Sequence, residues 1–210
     1  MVIKDKRHNQ GENMPIVRLP QGELRDEIRQ PIYDTIDLDS TVTYPFTREF
    51  FSNVQGRDIT KTNLKQNKLL ETAVSFRVQG LCLDAQNAVL VNAGVIPTLL
   101  NRSALQLQIG EKVYWTGPAR LACGRMYQDV ALDASAAPTS VVLQQYGWAA
   151  VQPVILTGRH VIDINPLQSF FATWQAANLS AAEITAATPS AGTQVSFVFS
   201  LKGLLRRPVQ

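Results

Sequence analysis

Residues 193–205 read TQVSFVFSLKGLL, and only RRPVQ follows. Val195, Phe197, Phe199 and Leu201 fall on one side of an extended chain, while Ser196, Ser200 and Lys202 are among those facing the other way. This is the period-two pattern of a β-strand with one buried face, and it predicts Phe197 and Phe199 in the core. A strand so near the end of the sequence needs partners from distant sequence or from another subunit, because an open edge invites aggregation.

Working outward, the same theme recurs. Residues 33–44 alternate in part, with Ile36 and Leu38 facing one way. Phe46, Phe50 and Phe51 surround Arg48 and Glu49 and are expected to anchor a loop in the core. Residues 52–72 are polar and read as an extended loop or an irregular helix. In residues 73–83, Phe76, Val78, Gly80 and Cys82 alternate with Ser75, Arg77 and Gln79. Residues 104–115, ALQLQIGEKVYW, form the clearest hairpin: Leu105, Leu107 and Ile109 alternate, Gly110-Glu111 turns, and Val113 and Trp115 resume the pattern. Further strands are expected at 140–145, 151–156, 161–164 and 169–175. Phe170, Phe171 and Trp174 also suit helical spacing, but Asn165-Pro166 precedes them and aromatics favour strands. Residues 176–192 read as a loop or a short helix. Many short strands with turn signals between them, and no βαβ alternation, predict an all-β fold: a single jelly roll or β-sandwich over residues 31–210.

Residues 1–30 differ. They are polar, of mixed charge, and hold Pro15 and Pro20 around one apolar knot of Ile16, Val17 and Leu19. The segment reads as an N-terminal arm. Within it, residues 21–30 (QGELRDEIRQ) suit a short helix, with Glu23 and Glu27 on one side and Leu24 and Ile28 on another, or a disordered tail. The knot points to an arm that docks on a neighbouring subunit, as segments that order on binding do.

Composition bounds the rest. A chain of 210 residues suits one all-β domain or, less easily, two small ones. Apolar residues at 45% sustain a core, and charged residues at only 18% leave a surface compatible with subunit contacts. The net charge of +3 and pI near 9.0 come from scattered charges, not a basic stripe, so no specific nucleic-acid binding is expected. Cys82 and Cys123 make neither a disulfide framework nor a metal set. Cys82 reads as a small buried hydrophobe, with a single bridge to Cys123 as the alternative. The N-terminal MVIKDKRHNQGEN has no apolar stretch behind its basic residues, so no signal peptide is expected. The most apolar window, 88–100, is too short and too interrupted by Asn92, Gly94 and Pro97 to span a bilayer. A membrane-surface contact has no feature in its support.

The sequence carries few groups arranged for chemistry. The two histidines are His8, in the arm, and His160, three residues before Asp163. No serine is selected to complete a triad, and neither GxSxG nor HExxH occurs. Asp34, Asp37 and Asp39 lie near Asp58 in sequence but lack the glycine turn of a Ca²⁺ loop. In a strand, Asp37 and Asp39 share a face and Asp34 points oppositely, and the cluster reads as a solvated sheet face. Nothing selects a glycosidase pair from it. Gly56 and Gly80 are isolated and make no phosphate loop. Trp115, Trp148 and Trp174 serve either as core or as a sugar-binding face. No catalytic, metal or cofactor-binding residues are expected, and no cofactor. At the other end of the chain, Leu204 and Leu205 with Arg206 and Arg207 suit contact with a carboxylate on a neighbouring subunit or an anionic surface.

Taken together, FFSNVQGRDITKTNL (50–64), VSFRVQGLCL (74–83), LQLQIGEKVYWTGPARL (105–121) and VSFVFSLKGLLRRPVQ (195–210) resemble small virion proteins of phages with a jelly-roll fold. The resemblance covers residues 45–210 and is one of architecture. It implies a capsid or capsid-associated subunit in the virion, made in the host cytoplasm, that self-assembles with its own copies and with other virion proteins. Because a double jelly roll would be longer, a single roll is implied. Ile16, Val17, Leu19, Leu204, Leu205, Arg206 and Arg207 are the expected subunit contacts. The competing reading is a β-sandwich binding module for a carbohydrate or receptor, as in a phage spike or tail component. A cupin-type enzyme wants several histidines, which this chain lacks.

Overall fold

The computed structural model describes residues 16–18, 24–86, 94–123, 127–132, 141–146, 154–155 and 162–208. In chain order the elements are β1 (Ile16–Arg18), β2 (Leu24–Arg29), β3 (Ile32–Asp39), β4 (Phe46–Phe50), β5 (Ser75–Gln86), helix α1 (Val95–Asn101), β6 (Ser103–Ile109) and β7 (Lys112–Pro118). There follow α2 (Ala119–Ala122), β8 (Tyr127–Leu132), β9 (Val141–Tyr146), β10 (Val154–Ile155), β11 (Ile162–Ile164), β12 (Phe170–Ala176), α3 (Ala181–Ala187) and β13 (Gln194–Pro208).

The terminal strand β13 is the spine. One edge pairs with β3 over residues 194–201 and with β2 over 204–208, and the other pairs with β5. Gln30 and Pro31 separate β2 from β3, and a proline cannot donate to the ladder. The seven-stranded sheet is completed by β1 on β2 and by β10 and β11 on β5. A second sheet has the order β4-β12-β6-β7, and β8 pairs with β9 apart from both. Across both sheets the pairing is antiparallel and nested: β3 with β13, β4 with β12, β5 with β11, β6 with β7. The chain is thus an all-β sandwich.

Aromatic rings join the two sheets. Trp174 of β12 lies 4.7 Å from Phe197, and Phe50 of β4 lies 5.4 Å from Phe199, centroid to centroid. All four are fully buried. Leu105, Leu107 and Ile109 face them from β6, and Ile36, Leu38, Leu81 and Leu83 from the larger sheet. The expected alternation of β6, β12 and β13 is thereby explained: each lays one face against the other sheet.

Several local expectations change. Residues 24–29 are a strand, not a helix, because β13 offers a ladder that a short isolated helix cannot match. Phe46 and Phe50 belong to strand β4, and Phe51 follows in a left-handed turn with φ of 68°. β13 is covered on both faces: Ser196 and Ser200 are buried too, since a central strand has neighbours on both edges and the 52–67 loop lies over Ser196. In β5, Lys202 pairs with Gly80 and Gly203 with Val78, so Gln79 bulges out. The bulge switches the inward parity from Phe76 and Val78 to Leu81 and Leu83, and turns Cys82 to the opposite face. Gly203 sits at this bulge because a Cβ there would come 2.0 Å from the Arg77 carbonyl oxygen. A bulge at Tyr114 acts likewise in β7, leaving Val113 exposed where alternation placed it inward. Part of the apolar window 88–100 is helix α1, which buries Val95, Ile96, Leu99 and Leu100.

Candidate functional site

One residue breaks the apolar pattern of the inner faces. Asp34 shares its side of β3 with Ile36 and Leu38 and pairs in register with Phe199, yet it is a carboxylate only 1% exposed. A charge in that position requires partners. The segment after β4 supplies them: the Phe51 N–H donates to Asp34 Oδ2 at 2.6 Å, and Arg57 Nη1 donates to Oδ1 at 2.8 Å. Burial raises the Asp34 carboxyl above its ordinary value, against the pull of the Phe51 amide and the Arg57 charge. The solvated-face reading of the aspartates therefore fails for Asp34.

The same segment guards the edge of β3. Asn63 Oδ1 accepts from the Tyr33 N–H, Thr62 Oγ1 donates to the Tyr33 carbonyl, and Arg57 Nη2 donates to the Thr35 carbonyl. From β4, Arg48 Nη1 donates to the Asp37 carbonyl at 3.0 Å. Tyr33 Oη donates to the Ile59 carbonyl, and Thr35 Oγ1 to that of Lys61. Backbone groups that would invite a further strand are occupied by side chains, a standard protection of an edge.

Between this guarded edge and β4 opens a cleft of about 320 Å³, lined by Asp34, Thr35, Ile36, Asp37, Arg48, Glu49, Asn53 and Arg57. Its side chains are tied down from behind. Asp37 accepts from Lys61 Nζ at 2.7 Å and from Ser196 Oγ at 2.6 Å. Burial pushes the Asp37 carboxyl up, but the bonds from Lys61 and Ser196 outweigh it and hold it below its ordinary value. Glu49 Oε2 meets Lys68 Nζ at 2.6 Å, and that ammonium sits 4.3 Å over the Phe171 ring. The Arg48 guanidinium lies 5.6 Å over Phe46. The cleft thus offers fixed donors and acceptors of both signs.

The expected contact residues sit elsewhere. Ile16 and Val17 lie in β1, the outermost strand beside β2, and Leu19 is outside the described residues. Leu204 and Leu205 pair with Arg29 and Ile28, and Leu205 packs against the core. Arg206 meets Glu27 at 2.7 Å and Arg207 approaches Asp26 at 3.8 Å, so carboxylates of this same chain answer the two arginines. Asp39 and Asp58 are exposed and serve turns, accepting from Thr41 and Thr60. Asp163 pairs with Arg77 at 3.0 Å. Trp174 is core, Trp115 is half-buried, and His8, Trp148 and His160 fall outside the described residues. Cys82 and Cys123 are thiols. Among the described residues, no three of His, Cys, Asp and Glu converge as metal ligands, and no helix is long and apolar enough to cross a membrane.

Arg57 and Asn53 were hidden in a polar stretch with no motif. The signal for Arg57 lay in Asp34, whose parity with Ile36 and Leu38 puts a carboxylate on a buried face and so demands a cation from elsewhere; nothing in the sequence marked Asn53. Comparisons with protein-family models, curated proteins and solved structures give no match.

Proposed function

We propose that this chain is a structural virion protein, a capsid or capsid-associated subunit with a single jelly-roll body that assembles with its own copies and other virion proteins. The observation that carries the reading is the nested strand pairing. β3–β13 and β5–β11 lie in one sheet and β4–β12 and β6–β7 in the other, as if one long hairpin were rolled over itself. We read this order as an eight-stranded jelly roll, an architecture used by viral capsid proteins as well as lectins and cupins. The β8–β9 ladder and β10 are then an insertion in the loop before β11.

Assembly in this reading runs through the N-terminal arm and the sheet edges. Ile16 and Val17 lie at the outer margin of the larger sheet, joined to the body through β2, and Leu19 follows them in the sequence. Leu204 is half-buried on that sheet's outward side, and Arg206 and Arg207 already face Glu27 and Asp26, which makes them weaker contact candidates. The test is removal of residues 1–23, a cut that spares β2. The full chain should sediment as a particle or large oligomer, and the shortened one as a folded, smaller species. Normal particles from the shortened chain refute the arm's role, and a monomeric full chain refutes the shell reading.

The cleft between β3 and β4 favours a second reading, a sandwich binding module such as a spike or tail component. Solution size separates the two.

A further inference from the structure

We propose that the cleft between β3 and β4 is a binding site for a neutral, polyhydroxylated ligand, the size of one hexose unit of a glycan. The inference names what the cleft of the second reading would hold, and it stands whether the chain builds a shell or a spike. A volume of about 320 Å³ falls at the small end of ligand pockets.

The lining selects the chemistry. Its ionisable side chains are Asp34, Asp37, Glu49, Arg48 and Arg57, and Lys61 and Lys68 stand directly behind Asp37 and Glu49. Three carboxylates meet four cations, so neither an anion nor a cation finds a strong net field. Hydrogen-bonding capacity remains, however. Arg48 uses Nη1 on the Asp37 carbonyl, leaving Nε and Nη2. Glu49 binds Lys68 through Oε2, leaving Oε1, and Asn53 brings an amide that both donates and accepts. A sugar hydroxyl likewise does both, and vicinal hydroxyls match a guanidinium fork beside a carboxylate.

The site is also prepared in advance. Arg57 is clamped by Asp34 and the Thr35 carbonyl, Arg48 by Phe46 and the Asp37 carbonyl, and Glu49 by Lys68, which is itself seated on Phe171. Side chains already fixed lose little freedom on binding, which is how a small polar ligand reaches measurable affinity. Simple protection of the β3 edge needs Arg57, Thr62 and Asn63, but it does not need Asn53 or the outward side of Glu49.

The experiment is saturation-transfer NMR with calorimetric titration of the full chain. Probes are glucose, galactose, mannose, fucose and N-acetylglucosamine, with N-acetylneuraminic acid and inorganic phosphate as anionic controls. At least one neutral sugar should bind, and Asn53→Ala, at an exposed position, should weaken it about tenfold, the loss of roughly one good hydrogen bond. Arg48→Lys, which keeps the charge and loses the fork, should weaken it as well. Three results would overturn the proposal: no transfer to any neutral sugar, binding confined to the anions, or neutral-sugar binding unchanged in both variants. None of them touches the sedimentation test of assembly.

Discussion

Phe199→Ala removes the ring that ties the terminal strand to the opposite sheet. Phe199 has no exposed surface and lies 5.4 Å from Phe50 and 5.9 Å from Phe51. Neither neighbour can close the gap easily, since Phe50 also stacks on Trp174 and Phe51 also packs at a tilt against Phe170. A cost of about 3–5 kcal/mol is expected for a buried phenylalanine cut to alanine. Against a native stability of about 5–15 kcal/mol, that is a large share. At about 2–4 °C per kcal/mol for a domain of this size, the melting temperature should fall by about 6–20 °C. Urea unfolding followed by tryptophan fluorescence is the assay, because Trp174 sits in the same cluster. The midpoint should drop with an unchanged slope. Phe171→Ala is the control: its ring is half-buried on the outward side of β12 under Lys68, and its loss should cost about 1 kcal/mol. A Phe199→Ala midpoint within error of wild type, or equal losses in both variants, would refute the assignment of inward and outward faces.

Gly203→Ala should destabilise by about 1–3 kcal/mol or more, since the new Cβ meets the Arg77 carbonyl at 2.0 Å and the ladder must spread; a neutral effect in thermal melts would mean that the bulge is not pinned there. Asp34→Asn tests the buried carboxyl by its pH dependence. Burial raises the folded carboxyl above 3.8, so the folded state holds its proton more tightly, and this contribution is complete below 3.8 and fades as pH rises through the raised value. The wild type should therefore lose stability relative to Asp34→Asn on going from acid towards neutral pH, and urea titrations showing a flat or opposite trend would overturn the desolvation argument.

The class of fold and most of the strands are legible in the residues alone. Alternation in 103–109 and 170–176 is read correctly because each strand buries one side against a facing sheet, and a period of two then survives in the residues themselves; in 194–205 it finds the inward face, although β13 is covered on its other face as well. The same logic located the Gly110-Glu111 turn and the core roles of Phe50, Phe51, Phe197 and Phe199. Tertiary structure alone decided the rest. Residues 24–29 are a strand because β13, 175 to 183 residues further along the chain, is there to pair with them. The bulges at Gln79 and Tyr114 reverse parity in mid-strand, and no composition rule marks them; only the clash at Gly203 and the register of the neighbours fix their place. Arg206 and Arg207 find Glu27 and Asp26 because β2 lies alongside. The cleft arises where the edge of β3 comes beside β4, which brings Asp34 to Arg57 and Arg48 to the Asp37 carbonyl. Such sites are assembled from residues whose proximity is set by sheet pairing and not by spacing, so the sequence could show that Asp34 needed a partner but not which one.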